Sequence, residues 1–167
     1  MGKIVHWGTL VGLRASEIIE SVRLINDREA FPKYYDAAQM TLSHWKMPGM
    51  IRSTKKAFLS YATPEMLEPV QHLEKVPTYS AIRHVCDRRG IPCNLHLCRK
   101  IFASWLHESA IPDITIDMLS GRVPRSVLAQ HYVVLNNSLR DRVLDSLSKL
   151  QKEIMLTRQT EVPKHKL

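Results

Sequence analysis

Cysteine is scarce in this sequence: Cys86, Cys93 and Cys98 are the only three in 167 residues. Three thiols are too few, and odd in number, for a disulfide scaffold, which agrees with a reducing compartment. Long apolar runs are missing as well. No stretch approaches the roughly 20 residues of a membrane-crossing helix. The opening MGKIVHWGTL lacks the apolar centre of a signal peptide, so the expectation is an intracellular chain with no membrane partner. There is no low-complexity tract and no internal repeat. Acid is absent over one long stretch: none falls between Asp36 and Glu65, whereas Lys46, Arg52, Lys55 and Lys56 do.

What is present is an ordinary globular composition, 44% hydrophobic and 24% charged, on a chain long enough for one domain with a real core. The charge is unbalanced, with 24 Lys and Arg against 16 acids and a net +8. A second basic cluster, Arg83, Arg88, Arg89, Arg99 and Lys100, contains the single acid Asp87. This uneven distribution favours a nucleic-acid partner over a merely solvated basic face.

The periodicity predicts a mainly α fold with a small antiparallel β-sheet near its middle. Ser16 is a plausible N-cap for a helix running to about Asn26, with Ile18, Ile19, Val22 and Ile25 on its apolar side. Residues 28–38 read as loop or short helix, interrupted by Pro32. Gln39–Trp45 and Lys55–Ala62 read as strands, separated by a basic turn with Pro48 and Gly49. Thr63-Pro64-Glu65 opens a helix, and Pro77-Thr78 opens another that ends at Gly90. The clearest helix runs from Asn94 to about Ser109, with Leu95, Ile101, Phe102, Trp105 and Leu106 buried. Short helices follow at Asp113–Leu119 and Pro124–His131. A last amphipathic helix, Asn137–Leu156, carries Leu139, Val143, Leu144, Leu147 and Leu150 on one side. Residues 1–156 read as one domain and 157–167 as a loose, polar tail.

Four segments carry chemistry-bearing residues. GLRASE sets Arg14 before a helix start, and KKAF sets Lys55 and Lys56 on a strand where alternation lets only one of them face a given side. HLCR puts His96 and Arg99 three residues apart, on one helical face. SGR followed by AQHY puts Arg122 ten residues before Tyr132. Each has a bland alternative taken alone: a basic residue at a helix start, strand-edge lysines that discourage aggregation, a core or surface histidine, a half-buried tyrosine. His84, Cys86, Cys93, His96 and Cys98 also invite a zinc reading, but no C-x-x-C pair exists and the spacings fit poorly. Buried thiols explain them better.

Taken in order, GLRASEII, HLCRKIFASWL and LSGRVPRSVLAQHYV resemble the signature regions of the tyrosine recombinase, or phage integrase, family, and most of all integrases of archaeal viruses and plasmids. The resemblance spans Thr9 to about Leu135. It implies the catalytic-domain fold of that family, with 1–156 as the catalytic domain. It also implies a site-specific recombinase that joins DNA to Tyr132 as a 3′-phosphotyrosine, with neither metal nor other cofactor and without ATP. Arg14 and Arg99 would clamp the phosphate, and arginine suits this because its planar fork stays charged. His96 would accept or relay the phenol's proton, Lys55 would protonate the departing 5′-oxygen, and Arg122 would stand where relatives use His or Trp. Lys55 is preferred to Lys56 because KKAF matches the family's hairpin best with the first lysine in register. Lys46, Arg52, Lys56, Lys100 and Arg125 would contact DNA.

The implied partner is double-stranded DNA, gripped by a homotetramer on paired sites that is weakly associated or monomeric without DNA. The implied location is the cytoplasm of a host cell, at the nucleoid. Relatives carry an N-terminal domain that encircles DNA, so an upstream part of a longer protein is expected. The final helix would either pack on its own core or dock on a neighbouring subunit. The alternatives are a type IB topoisomerase-like activity, or an inactive copy of the domain acting as a DNA-binding regulator.

Overall fold

The computed structural model describes residues 2–50, 58–90, 95–121 and 137–160, the side chains of 158–160 excepted. Within them the chain is mainly helical with one three-strand antiparallel sheet, as its patterning predicts. In order come α1 (Gly2–Val11), α2 (Ala15–Asn26), α3 (Phe31–Tyr34), β1 (Tyr35–Asp36), β2 (Thr41–Leu42), β3 (Ser60–Tyr61), α4 (Pro64–Leu67), α5 (Tyr79–Arg88), α6 (Leu95–Glu108), α7 (Asp113–Leu119) and α8 (Asn137–Thr160). Short 3-10 turns occupy His44–Lys46, Pro48–Met50 and Glu68–Val70. The helix expected at 124–131 lies outside the described residues.

Helix α1 had no amphipathic signal, and the reason is its position. His6, Trp7, Gly8, Thr9, Leu10 and Val11 are buried in succession, so no polar face alternates with an apolar one. It packs along α6. Gly8 permits the close approach: a Cβ there would lie 2.7 Å from Ile18 Cδ1 and 3.6 Å from Cys98 Cβ. Helix α2 buries Ile18, Ile19, Val22 and Ile25 as expected. It ends where the Asn26 amide donates to the Val22 and Val70 carbonyls and accepts the Leu73 N–H.

Several boundaries differ from the sequence reading. The cap of α2 is Arg14, and Ser16 lies inside the first turn. Pro32 does not interrupt a helix; it sits in the first turn of α3, where its missing N–H leaves no bond unmade. The strand expected at Gln39–Trp45 shrinks to Thr41–Leu42, because Met40 turns at φ 48 and His44 opens a 3-10 turn. Of the strand expected at Lys55–Ala62, residues 55–57 lie outside the described residues and only Ser60–Tyr61 pairs in the sheet. The strand β1 was not expected; Leu42 pairs with Tyr35 on one side and with Ser60 on the other.

Other signals read true. Thr78 caps α5 by accepting the Ala81 N–H, and Gly90 follows its end at φ +63. Helix α6 buries Leu95, Phe102 and Leu106 as expected, but Ile101 faces solvent and Cys98 takes the inward position. Helix α8 buries Val143, Leu144, Leu147 and Leu150, with Leu139 half-buried. It runs past the expected end at Leu156 to Thr160, no helix breaker intervening before Pro163. It lies on its own chain, where Trp105 Nε1 donates to the Ser146 carbonyl and the Gln151 amide to the Glu65 carbonyl.

A buried polar chain holds the sheet to the helices. Trp7 Nε1 donates to Ser21 Oγ at 3.2 Å, and Ser21 Oγ is 3.0 Å from Tyr34 Oη. Tyr34 Oη is 2.8 Å from His44 Nδ1, and His44 Nε2 is 2.8 Å from Ser60 Oγ. Ser60 Oγ reaches the Val11 carbonyl at 3.4 Å. A neutral imidazole offers one donor and one acceptor nitrogen, which suits two hydroxyls able to play either part. Burial keeps it neutral, pushing the His44 pKa down from 6.5 to about 3, and burial likewise raises that of Tyr34.

The pH dependence of stability follows. Between about pH 3 and 6.5 the unfolded chain binds a proton at His44 that the folded chain refuses, so stability is full above 6.5 and declines as pH falls through that window. Lowering the pH from 7.5 to 5 should cost about 2 kcal/mol more in the natural protein than in His44→Gln, whose side chain does not titrate. Urea denaturation of both proteins at the two pH values checks this; equal pH dependence would contradict it.

Candidate active site

The turn between α1 and α2, Val11–Arg14, touches α6, the sheet and the residue that precedes Arg122. Gly12 adopts φ +61, a left-handed conformation glycine adopts without penalty. A Cβ there would fall 2.3 Å from Cδ1 of Phe102, so the turn lies flat on the aromatic ring of α6. Phe102 is three residues beyond Arg99 and six beyond His96 on the same helix. The Val11 carbonyl receives Ser60 from the sheet. The Arg14 guanidinium donates through Nη2 to the Gly121 carbonyl at 3.3 Å, across 107 residues of sequence. Gly121 immediately precedes Arg122.

Arg14 is held by Glu17, the last residue of GLRASE. Glu17 is 3% exposed. One of its oxygens accepts the Arg14 backbone N–H at 2.9 Å and the other accepts Arg14 Nη1 at 2.8 Å. Arginine has no acceptor with which to cap a helix in the usual way, so only the returning half of a capping box forms. The signal that could have revealed Glu17 was its spacing, three residues after the cap. The bonds to Glu17 and Gly121 use two of the five guanidinium N–H donors.

His96 and Arg99 share one groove of about 340 Å³ on α6, lined also by Lys100, Ala103 and Ser104. Arg99 is buried at 9% exposure, whereas His96 and Lys100 are exposed. The groove therefore presents a guanidinium at its floor and an imidazole and ammonium at its rim. Lys46 is exposed on the turn after β2. Lys55, Lys56, Arg52, Arg122, Arg125 and Tyr132 lie outside the described residues. Among the described residues on either side, Met50 is fully buried and Ser60 is bound by His44.

Of the residues in the zinc alternative, Cys86 and Cys98 are buried and His84 and His96 exposed. Among the described residues no three His, Cys, Asp or Glu side chains come together as metal ligands. Burial raises the Cys98 pKa, and its Sγ points to the Val5 carbonyl at 3.6 Å, as befits a packing thiol. No helix among the described residues is long and apolar enough to cross a membrane.

The family model described as archaeal phage integrase matches residues 6–143. No curated protein and no solved structure matches the chain. The matched span takes in α1 from His6 onward, the Val11–Arg14 turn, the sheet, the α6 groove and the first residues of α8.

Two glycines separate the causes that act at the turn. Gly12 and Gly90 have nearly the same positive φ, but nothing lies within 4 Å of a Cβ at Gly90. Gly90→Ala should therefore cost about 1 kcal/mol of backbone strain alone. Gly12→Ala adds displacement of the Phe102 ring and should cost about 3 kcal/mol or more. Denaturant midpoints of the two variants test this; equal costs would mean that the turn is not packed on α6.

Proposed function

Because the chain belongs to the archaeal phage integrase family, whose members act on DNA, we propose that it is a tyrosine-type site-specific recombinase with Tyr132 as its nucleophile. The observation that supports this best is the Arg14–Gly121 hydrogen bond, which brings the first arginine to the residue preceding Arg122 and, through Gly12 on Phe102, to the helix of His96 and Arg99. A site for one phosphate needs these distant segments together.

The proposed reaction starts with Tyr132 losing its phenolic proton to His96. The phenolate oxygen then attacks phosphorus, the bond from phosphorus to the 5′-oxygen breaks, and Lys55 delivers a proton to that oxygen. Arg14, Arg99 and Arg122 neutralise the charge growing on the equatorial oxygens. The product is a 3′-phosphotyrosine and a free 5′-hydroxyl. A 5′-hydroxyl from the same or another strand reverses the step, so neither ATP nor metal enters the balance. Glu17 acts on Arg14 by holding it, and the three remaining guanidinium N–H donors are enough for bidentate phosphate contact. Lys46, Arg52, Lys56, Lys100 and Arg125 would grip the DNA backbone, and two DNA sites would be joined by a tetramer. The location proposed with this is the host cytoplasm, at its DNA.

The test is incubation with nicked, end-labelled DNA carrying the target site, read on a denaturing gel. The nick lets the short piece diffuse away and traps the covalent complex. The expected result is a slow, protease-sensitive band that vanishes in Tyr132→Phe and forms about 10²-fold or more slowly in Arg14→Ala and Arg99→Ala. A band that survives in Tyr132→Phe would overturn the assignment. DNA binding at the verified site without any band would favour the inactive-regulator alternative.

A further inference from the structure

Outside the groove of His96 and Arg99, the described surface carries one exposed aromatic site flanked by positive charge. Trp45 is 55% exposed, the most exposed aromatic ring among the described residues. Among the described residues no aromatic ring stacks on its indole, and the Lys46 ammonium lies over one face, 5.2 Å from the ring centroid. The ring is not on a free end. The Trp45 backbone N–H donates to the Phe58 carbonyl at 3.1 Å, clipping the turn after β2 to the strand that enters β3. Phe58, the residue across that bond, is itself 39% exposed. A single exposed ring is ordinary, but two exposed rings joined through the backbone, one with an ammonium on it, form a surface open to a partner.

The charge around it indicates what. No acid occurs in sequence between Asp36 and Glu65, and the charge that the structure sets at the ring is the Lys46 ammonium; Glu20 approaches the turn from α2, beside Gly49. On a chain of net +8, an exposed ring with an ammonium on it fits a polyanion better than a second copy of the same basic chain. Within a polyanion, the ring selects further. Paired bases in a duplex are stacked on one another and present only their edges and backbone. An indole face is matched by the π-face of a base that has left its pair. The nearby ammonium then meets the phosphate of the same nucleotide.

We propose that Trp45, assisted by Lys46 and flanked by Phe58, is a stacking platform for an unpaired DNA base. This rests on the reading of the chain as a DNA-cleaving protein, whose strand exchange must free bases from their pairs. It does not rest on any residue of the α6 groove.

The test is a binding measurement, without cleavage, so its failure is distinguishable from failure of the covalent chemistry. The probes are a fully paired duplex and a duplex of the same length with a central run of mispaired thymines. Of the three tryptophans, Trp7 is 1% exposed and Trp105 is half-buried, so quenching of intrinsic fluorescence reports chiefly on Trp45. The expected result is stronger quenching and tighter binding with the mispaired probe. Trp45→Ala should weaken that binding about 5- to 50-fold while changing paired-duplex binding less than about 2-fold. Trp45→Phe, which keeps a stacking ring, should retain most of the preference. An equal loss on both probes would make Trp45 a backbone contact and overturn the proposal, as would no loss on either. Unchanged DNA binding with reduced self-association in sedimentation would assign the patch to a second copy instead.

Discussion

Gly12 lying flat on Phe102 is the contact on which the remaining geometry depends. Where the chain turns from α1 into α2, a side chain at that position would occupy the space of the ring, and the turn would lift from α6. Everything brought to the turn would lift with it: the Val11 carbonyl that receives Ser60, and Arg14, which reaches Gly121. The sheet, α6 and the residue that follows α7 are separated widely in sequence, and this four-residue turn touches all of them. A single left-handed glycine thus does topological work that no propensity scale would assign to it.

Two buried polar arrangements meet at this turn, and they differ in kind. The chain from Trp7 through Ser21, Tyr34, His44 and Ser60 to Val11 is neutral. Each link gains little net energy, but losing one member leaves buried partners unsatisfied, so the chain specifies where the sheet sits more than it adds stability. The Arg14–Glu17 pair is charged, with the carboxylate inside and the guanidinium near the surface. A buried carboxylate is costly alone, and the arginine offsets it while being held in place.

Much of this was legible in the residues and some was not. The apolar spacing of Ile18, Ile19, Val22 and Ile25, the Thr78 cap and the glycine stop at Gly90 announced α2 and α5. GLRASE, HLCR and SGR announced a turn, a helix that packs on it and a glycine that Arg14 reaches. Helix α1 escaped because burial on all sides removes the period that betrays a surface helix. The strands were overestimated because two-residue ladders leave no alternation to count, and local apolar residues serve 3-10 turns equally well. Ile101 was placed inward, whereas Cys98, read as a buried thiol but not as part of that face, is what fits against α1. Glu17 and the His44 chain depend on partners far away in sequence or on a cap of unusual type, and neither is visible from composition. Lys55, Arg122 and Tyr132 rest on the motif pattern and the family.

The claim at the centre is that Arg14, on the turn that Gly12 seats against α6, and Arg99, on α6 itself, act on a single phosphate. A crystal structure of Tyr132→Phe bound to its nicked target DNA tests it most directly. The expected result is both guanidinium groups within about 3 Å of oxygens on the same phosphate, the one adjoining the nick. Arg14 and Arg99 contacting different phosphates, or Arg14 still turned wholly to Glu17 and Gly121 with DNA in place, would contradict the claim.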